Sequence, residues 1–415
     1  MPPGFFLLIA AQFVSALADN ALLIVAIALL LQLGLPPWWA PLLKFSFTLA
    51  YVLLAPFVGP LADAMAKARL MMWMNALKVL GVLALLGDMH PLAALAVVGL
   101  GAATYAPAKY GLVTELVPPR QLVAANGWIE VSTVCAALLG TVLGGLLISD
   151  AVAGLAQRLW PGAAPLSIAL VLLLSVYALA ALLNAGIPDS GVRYPRSTLA
   201  PAQLLREFWR AHRLLWRDAQ GGLSLAVTTL FWGAAAVLQF AVLQWAIEAL
   251  GFGLEHAAYL QALVAVGVVA GAAAAGRWVS LRQATRVLPA GVVLGLLVPL
   301  VAGTGSLAAA LPLLLAVGAM GGALVVPMNA LLQHRGQRLL SAGRSIAVQN
   351  FNENLSVLVM LAVYTGLLAI ELPIRAIMAA FGLLVAAVMA RLLWQQRQQC
   401  RPHTPRPAAD PAERK

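Results

Sequence analysis

The sequence predicts an all-α integral membrane protein whose twelve spanning helices form two pseudo-symmetric six-helix halves. Three observations predict it. The 415 residues are 62% hydrophobic and only 10% charged. Mean hydropathy is +0.91. Apolar runs long enough to cross a bilayer recur along the whole chain. A soluble domain of this size needs far more charge to stay dissolved, and a helix crosses the hydrocarbon core with about 20 apolar residues. Runs that qualify lie near 5–32, 40–62, 70–87, 91–113, 122–149, 164–187, 222–249, 256–279, 286–304, 306–333, 342–369 and 373–394. The first run reads as a span, not a cleaved signal peptide, because Met-Pro-Pro-Gly before it carries no basic residue.

The net charge of +11 looks like a nucleic-acid signal until the charges are mapped. With the N-terminus placed in the cytoplasm, 21 of the 26 basic residues fall in segments on that side. They run from Lys67, Arg69 and Arg120 to the group between Arg391 and Lys415. Arg158 and Arg375 fall on the other side, and Lys44, Lys78 and Lys109 fall within spans. That is the positive-inside pattern, which puts both termini in the cytoplasm and excludes a nucleic-acid partner as the reason for the charge. Cys135 lies in a span and Cys400 in the tail, so neither a disulfide nor a zinc site is expected. The five histidines are scattered. No metal or cofactor is expected.

The longest polar interruption divides the chain into an N-terminal half (1–187), a linker (188–221) and a C-terminal half (222–397), followed by a tail (398–415) whose Pro-rich, charged composition predicts disorder. In the linker, Leu204, Phe208, Ala211 and Leu215 recur at helical spacing, with Arg206, Arg210, Arg213 and Arg217 on the far side. This reads as an amphipathic helix on the cytoplasmic leaflet; the alternative is a linker helix packed on the bundle. The halves look like a parallel repeat. Tyr105-Ala-Pro-Ala-Lys-Tyr-Gly in span four and Val325-Val-Pro-Met-Asn-Ala-Leu in span ten set Pro107 and Pro327 in matching contexts, 220 residues apart. Two such halves with a site between them are the major facilitator arrangement. The loop after span two supports it. Gly59-Pro-Leu-Ala-Asp63, then Lys67 and Arg69, resembles that superfamily's Gly-x-Leu-x-Asp signature: the glycine permits close approach, and the aspartate pairs with basic groups in a latch.

Ionisable groups inside a span are costly and usually face an aqueous cavity or the bundle interior. Asp19 sits at the middle of span one, on one face with Gln12 and Ser15. Lys78, Lys109, Glu130 and Glu353 lie nearer the cytoplasm and are expected to form one polar layer. Within it Lys78 either snorkels or pairs with Glu130, and Lys109 either snorkels or reaches a substrate phosphate. Glu353 stands among Asn350, Asn352 and Asn354 and is expected to line the cavity. Asn329 matches Lys109 by the repeat offset. Trp232 and Gln239 share a face of span seven, and Lys44 is expected to snorkel outward.

With these stretches in view, the chain resembles the bacterial lysophospholipid transporters, inner-membrane flippases of the major facilitator superfamily. The resemblance rests on AQFVSALADNALL from Ala11, APFVGPLADAMAKARLMM from Ala55, YAPAKYGLVTELV from Tyr105, GAMGGALVVPMNALLQHRG from Gly318 and AVQNFNENLSVLVML from Ala347. It implies movement of lysophosphatidylethanolamine and lysophosphatidylglycerol from the outer to the inner leaflet without nucleotide or ion gradient. It also implies a cytoplasmic acyltransferase/acyl-carrier-protein synthetase as partner. On the residues named, substrate binding is expected at Asp19, Tyr105, Lys109, Glu130, Trp232, Gln239, Asn329 and Glu353, and gating at Gly59, Asp63, Lys67, Arg69 and Lys78. There is one departure. The resemblance implies an arginine after the Phe-Trp-Gly run of span seven, paired with the span-one aspartate, where this chain has Gln239. Asp19 is therefore expected to bind the ethanolamine ammonium, pair with Lys109, or take up a proton.

Two other classes compete. A proton-coupled exporter of lipophilic compounds would also use a protonatable Asp19. An integral-membrane acyltransferase is disfavoured, because none of the five histidines has an aspartate five positions on.

Overall fold

In a computed structural model, residues 1–35, 39–159, 165–192, 194, 200–252 and 254–399 are described. The tail beyond Gln399, including Cys400, and the linker arginines Arg193 and Arg196 lie outside them. The helices are α1 (Pro3–Gln32), α2 (Ala40–Leu53), α3 (Ala55–Ala64), α4 (Lys67–Leu86), α5 (Pro91–Leu116), α6 (Leu122–Leu147), α7 (Asp150–Leu159) and α8 (Pro165–Ala185). They continue as α9 (Pro201–Arg217), α10 (Ala219–Leu250), α11 (Leu254–Trp278), α12 (Leu288–Gly303), α13 (Leu307–Leu339), α14 (Ala342–Ala369) and α15 (Ile374–Gln399). Eleven are long and apolar enough to span a membrane among the described residues, and α2 with α3 makes a twelfth, broken span.

That break departs from the straight run expected over 40–62. The two pieces meet at 65° around Leu54. Pro56 offers no N–H to the carbonyl four residues back and its ring crowds that carbonyl, and Pro60 repeats the defect one turn on. The bend carries α3 beneath the other half. A second departure is α7, a short amphipathic helix in the loop between spans five and six.

The linker helix α9 settles on the bundle. Its Phe208, Ala211 and Leu215 are buried with Ala55 of α3, Leu225 of α10, Leu332 of α13 and Val348 of α14. The expectation that this apolar face meets the leaflet is therefore corrected: apolar surface from both halves was available to bury it, a stronger sink than the interface.

Beside the cluster under α9, a larger core joins the halves. Leu112, Val113, Val123 and Ile129 of α5 and α6 pack with Ala272 and Ala275 of α11 and Val325 and Ala330 of α13. Elsewhere the halves keep separate cores, one built on Leu22, Val25, Leu95 and Leu170, the other on Trp245, Leu294, Leu314 and Phe381. The joined core lies at the end that carries the basic loops, so the halves close there.

Closure depends on a close approach of backbones. A Cβ on Gly59 would sit 2.9 Å from the Cα of Arg344, and one on Gly343 would sit 2.6 Å from the Gly59 carbonyl. Only glycine fits at both positions.

Candidate functional site

A cavity of about 230 Å³ opens among helices of the N-terminal half. All its lining residues fall between Gln12 and Thr133, on α1, α2, α4, α5 and α6. At its centre Asp19 meets Lys78. The ammonium lies 2.7 and 2.9 Å from the two carboxylate oxygens and 3.0 Å from Ser15 Oγ. Tyr177 Oη donates to Asp19 at 2.7 Å from α8. Ser15 in turn donates to Asn75 at 2.8 Å, and Gln12 to Ser132 at 2.7 Å. The face Gln12–Ser15–Asp19 thus organises a hydrogen-bonded wall linking α1 to α4, α6 and α8.

This corrects two expectations. Lys78 neither snorkels nor pairs with Glu130, and Asp19 is not left without a cation. The reason is depth. α4 begins at Lys67, so Lys78 lies eleven residues in, about 16 Å along the axis, near the middle of a ~30 Å hydrocarbon core. A buried ammonium there needs a carboxylate at the same level, and Asp19 is that group.

Lys109 also lines the cavity. Its Nζ is 3.4 Å from Gln12 Oε1 and 4.3 Å from the Tyr110 ring centroid, and Glu130 is within electrostatic reach. Tyr105 lines it with its ring 5.4 Å from Lys78 Nζ. Lys44, which is exposed, and Tyr51 join them from α2. The lining holds three lysines and one carboxylate; with Lys78 and Asp19 paired, Lys44 and Lys109 remain, and the cavity is electropositive.

The other expected residues are elsewhere. Glu353 accepts from Gln349 at 2.8 Å, and the same amide donates to Asn329 at 2.9 Å. This buried trio belongs to the C-terminal half near the joined core, outside the cavity lining; Lys109 lies within electrostatic reach of Lys78 and Glu130, and Glu130 within reach of Glu353. Glu130 is buried on α6. Trp232 stacks edge-on with Phe231 at 5.5 Å, outside the cavity lining. Gln239 is exposed on α10, and its carbonyl accepts from the Gln261 amide. A reciprocal amide pair, Asn126 with Gln333 at 2.8 and 2.9 Å, bridges the halves.

At the closed end Asp63 accepts from Gly343 N at 3.1 Å and from Ser341 Oγ. Ser341 is the N-cap of α14, so the carboxylate of one half sits on the positive end of a helix of the other. Lys67 is 3.7 Å from Asp63 but 2.6 Å from Glu115, which in turn accepts from Ser190 at 2.6 Å. Arg69 is exposed. Glu115 was missed because it lies just past the expected end of span four; α5 runs on to Leu116. Tyr177 was missed as well, with only the isolation of a tyrosine in an apolar span to mark it.

A polar, cationic cavity in one half of a twelve-span bundle, closed at one end by a seam between halves, defines a membrane transporter. The profile of the Major Facilitator Superfamily matches residues 8–360, and the chain belongs to that superfamily. Its relatives include proteins named lysophospholipid transporter LplT. Those of Salmonella arizonae and Citrobacter koseri are each 42% identical over 398 residues, 95% of this chain and 96% of theirs. That of Yersinia pestis is 42% identical over 369 residues, 88% of this chain and 87% of its own. Among solved structures, the human organic anion transporter MFSD10 superposes with TM-score 0.74 at 16% identity, over 95% of this chain and all of that one. A bacterial homologue of the iron transporter ferroportin in an outward-facing state gives 0.74 at 16%, over 96% and all. At such identities these likenesses speak for the fold alone.

Proposed function

We propose that this protein carries lysophospholipids across the bacterial inner membrane from the outer to the inner leaflet, without altering them chemically. The observation that carries the reading is the electropositive cavity. Lys44 and Lys109 offer two cations for a phosphodiester, and Asp19, held by Lys78 and Tyr177, offers carboxylate oxygens to an ethanolamine ammonium or a glycerol hydroxyl. A single acyl chain stays in the surrounding lipid while the head group occupies the polar pocket. The names of the relatives support the substrate class.

Placing the basic end in the cytoplasm, by the positive-inside rule, makes the closed seam cytoplasmic and turns the cavity to the outer leaflet. Transport then requires Asp63 to leave the α14 N-terminus so that the seam opens, with both chain termini remaining inside. Asp63 and Gly59 form the latch, with Lys67 held beside it by Glu115. The arriving lysolipid would be consumed by a cytoplasmic acyltransferase/acyl-carrier-protein synthetase that restores the second chain. The engagement of Asp19 by Lys78 argues against a proton-driven exporter. The test is uptake of labelled lysophosphatidylethanolamine by proteoliposomes with and without a proton gradient. Uptake that is independent of the gradient, and lost in Asp19→Asn, is expected; absolute dependence on the gradient overturns the facilitated reading.

A further inference from the structure

The linker helix α9 has three faces, and the cavity uses none of them. Its inner face is buried against both halves. About 100° round the helix, Leu205, Trp209 and Trp216 form an apolar stripe that stays 45, 40 and 38% exposed. About 100° further round, Arg206, Arg210, Arg213 and Arg217 stand exposed in a row, and among the described residues none of the four forms an ion pair. Tryptophans beside arginines on one helix match a bilayer interface, where indoles sit at head-group level and guanidiniums meet phosphates. Connectivity places the helix there, since only Asp218 separates it from α10, a spanning helix.

The helix is also tied to the seam. Glu207 pairs with Arg344 at 3.0 Å, and His212 and Trp216 contact Asn352 Oδ1 at 3.2 and 3.3 Å, all on α14. Arg344 directly follows Gly343, whose N–H holds Asp63.

We infer that the Trp209/Trp216 and Arg206–Arg217 stripes of α9 dock on anionic phospholipid head groups of the leaflet at the basic end, a lipid site separate from the substrate cavity. Because α9 packs on α3 of one half and α14 of the other, a bound anionic surface favours the state in which the seam is closed. Four unpaired guanidiniums make a phosphate-rich surface the occupant that the charge selects. At low salt each arginine strengthens attachment about fivefold.

The test reconstitutes the full chain in phosphatidylcholine nanodiscs containing dansyl-labelled phosphatidylglycerol or dansyl-labelled phosphatidylcholine, reading energy transfer from tryptophan. The wild type should prefer the anionic probe several-fold, and 0.5 M salt should abolish most of that preference. The variant R206Q/R210Q/R213Q/R217Q should fall to parity, while R206K/R210K/R213K/R217K retains the preference. Lys44→Gln with Lys109→Gln, changed only in the cavity, should also retain it. Parity in the wild type, a preference surviving in the glutamine variant, or its loss in the cavity variant overturns the assignment.

Discussion

Replacing Lys78 by methionine leaves Asp19 in the cavity wall with Tyr177 as its one remaining donor among the described hydrogen bonds. At 2.7 Å the attraction between the two charges is about 6 kcal/mol for an effective dielectric of 20. Much of that offsets the cost of taking both groups out of water, and truncating one member of such a buried pair costs about 3–5 kcal/mol net. The Asp19 side chain keeps 19% exposure whereas Lys78 keeps 2%. Lys78→Met should therefore fall near the lower end, about 3 kcal/mol, and Asp19→Asn, which strands the deeper charge, nearer the upper end. The double variant Asp19→Asn/Lys78→Met removes both charges and should recover most of the stability while transporting nothing. Denaturant unfolding in micelles followed by tryptophan fluorescence, beside proteoliposome uptake of labelled lysophosphatidylethanolamine, completes the cycle. If the two single effects simply add in the double variant, with a coupling under about 0.5 kcal/mol, the pair is not what holds this wall together and the reasoning fails.

Lys44→Gln and Lys109→Gln should each raise the half-saturating concentration of lysophosphatidylglycerol about tenfold or more, from the ~1.5–3 kcal/mol of a charged hydrogen bond, in uptake measured against concentration. Gly59→Ala places a Cβ 2.9 Å from the Arg344 Cα; amide exchange across residues 341–347 should quicken and uptake should fall. Gln239→Arg, at an exposed position, should leave stability within about 0.5 kcal/mol and transport intact. The last concerns pH. The Arg335 hydrogen bond, helped by the Gly221 amide, holds the Asp218 carboxyl below the usual carboxylate range. Its contribution is therefore complete above the unfolded value of about 4 and is lost as pH falls through the depressed folded value. The stability gap between wild type and Asp218→Asn should stay level from about pH 8 to 5 and narrow below about 4.

Much of the fold was open to reading because lipid imposes a simple rule: a span must be apolar and long. Asp19 stood out for the same reason, as a charge where the rule forbids one. Gly59 and Asp63 were legible through a spacing that carries its own mechanics. What resisted reading was direction and partnership. Hydropathy registers Pro56 and Pro60 but not the bend they impose. A boundary set three residues late placed Lys78 too shallow and so gave it the wrong partner. Glu115 fell outside the expected span four, which was ended at residue 113 where α5 runs on to Leu116. The faces of α9 were read correctly as faces, but periodicity does not say whether apolar surface meets lipid or protein.

A pocket whose walls all come from residues 12–133 divides labour unevenly between two halves of similar build. On the proposed reading, choice of cargo rests on the first bundle, and its counterpart supplies the other side of the seam that opens and closes. Substitutions in the first six spans should change which lipids are accepted, and those in the last six how fast any of them moves. Descendants of such a chain are free to acquire new cargoes by altering a single bundle, with the seam inherited unchanged.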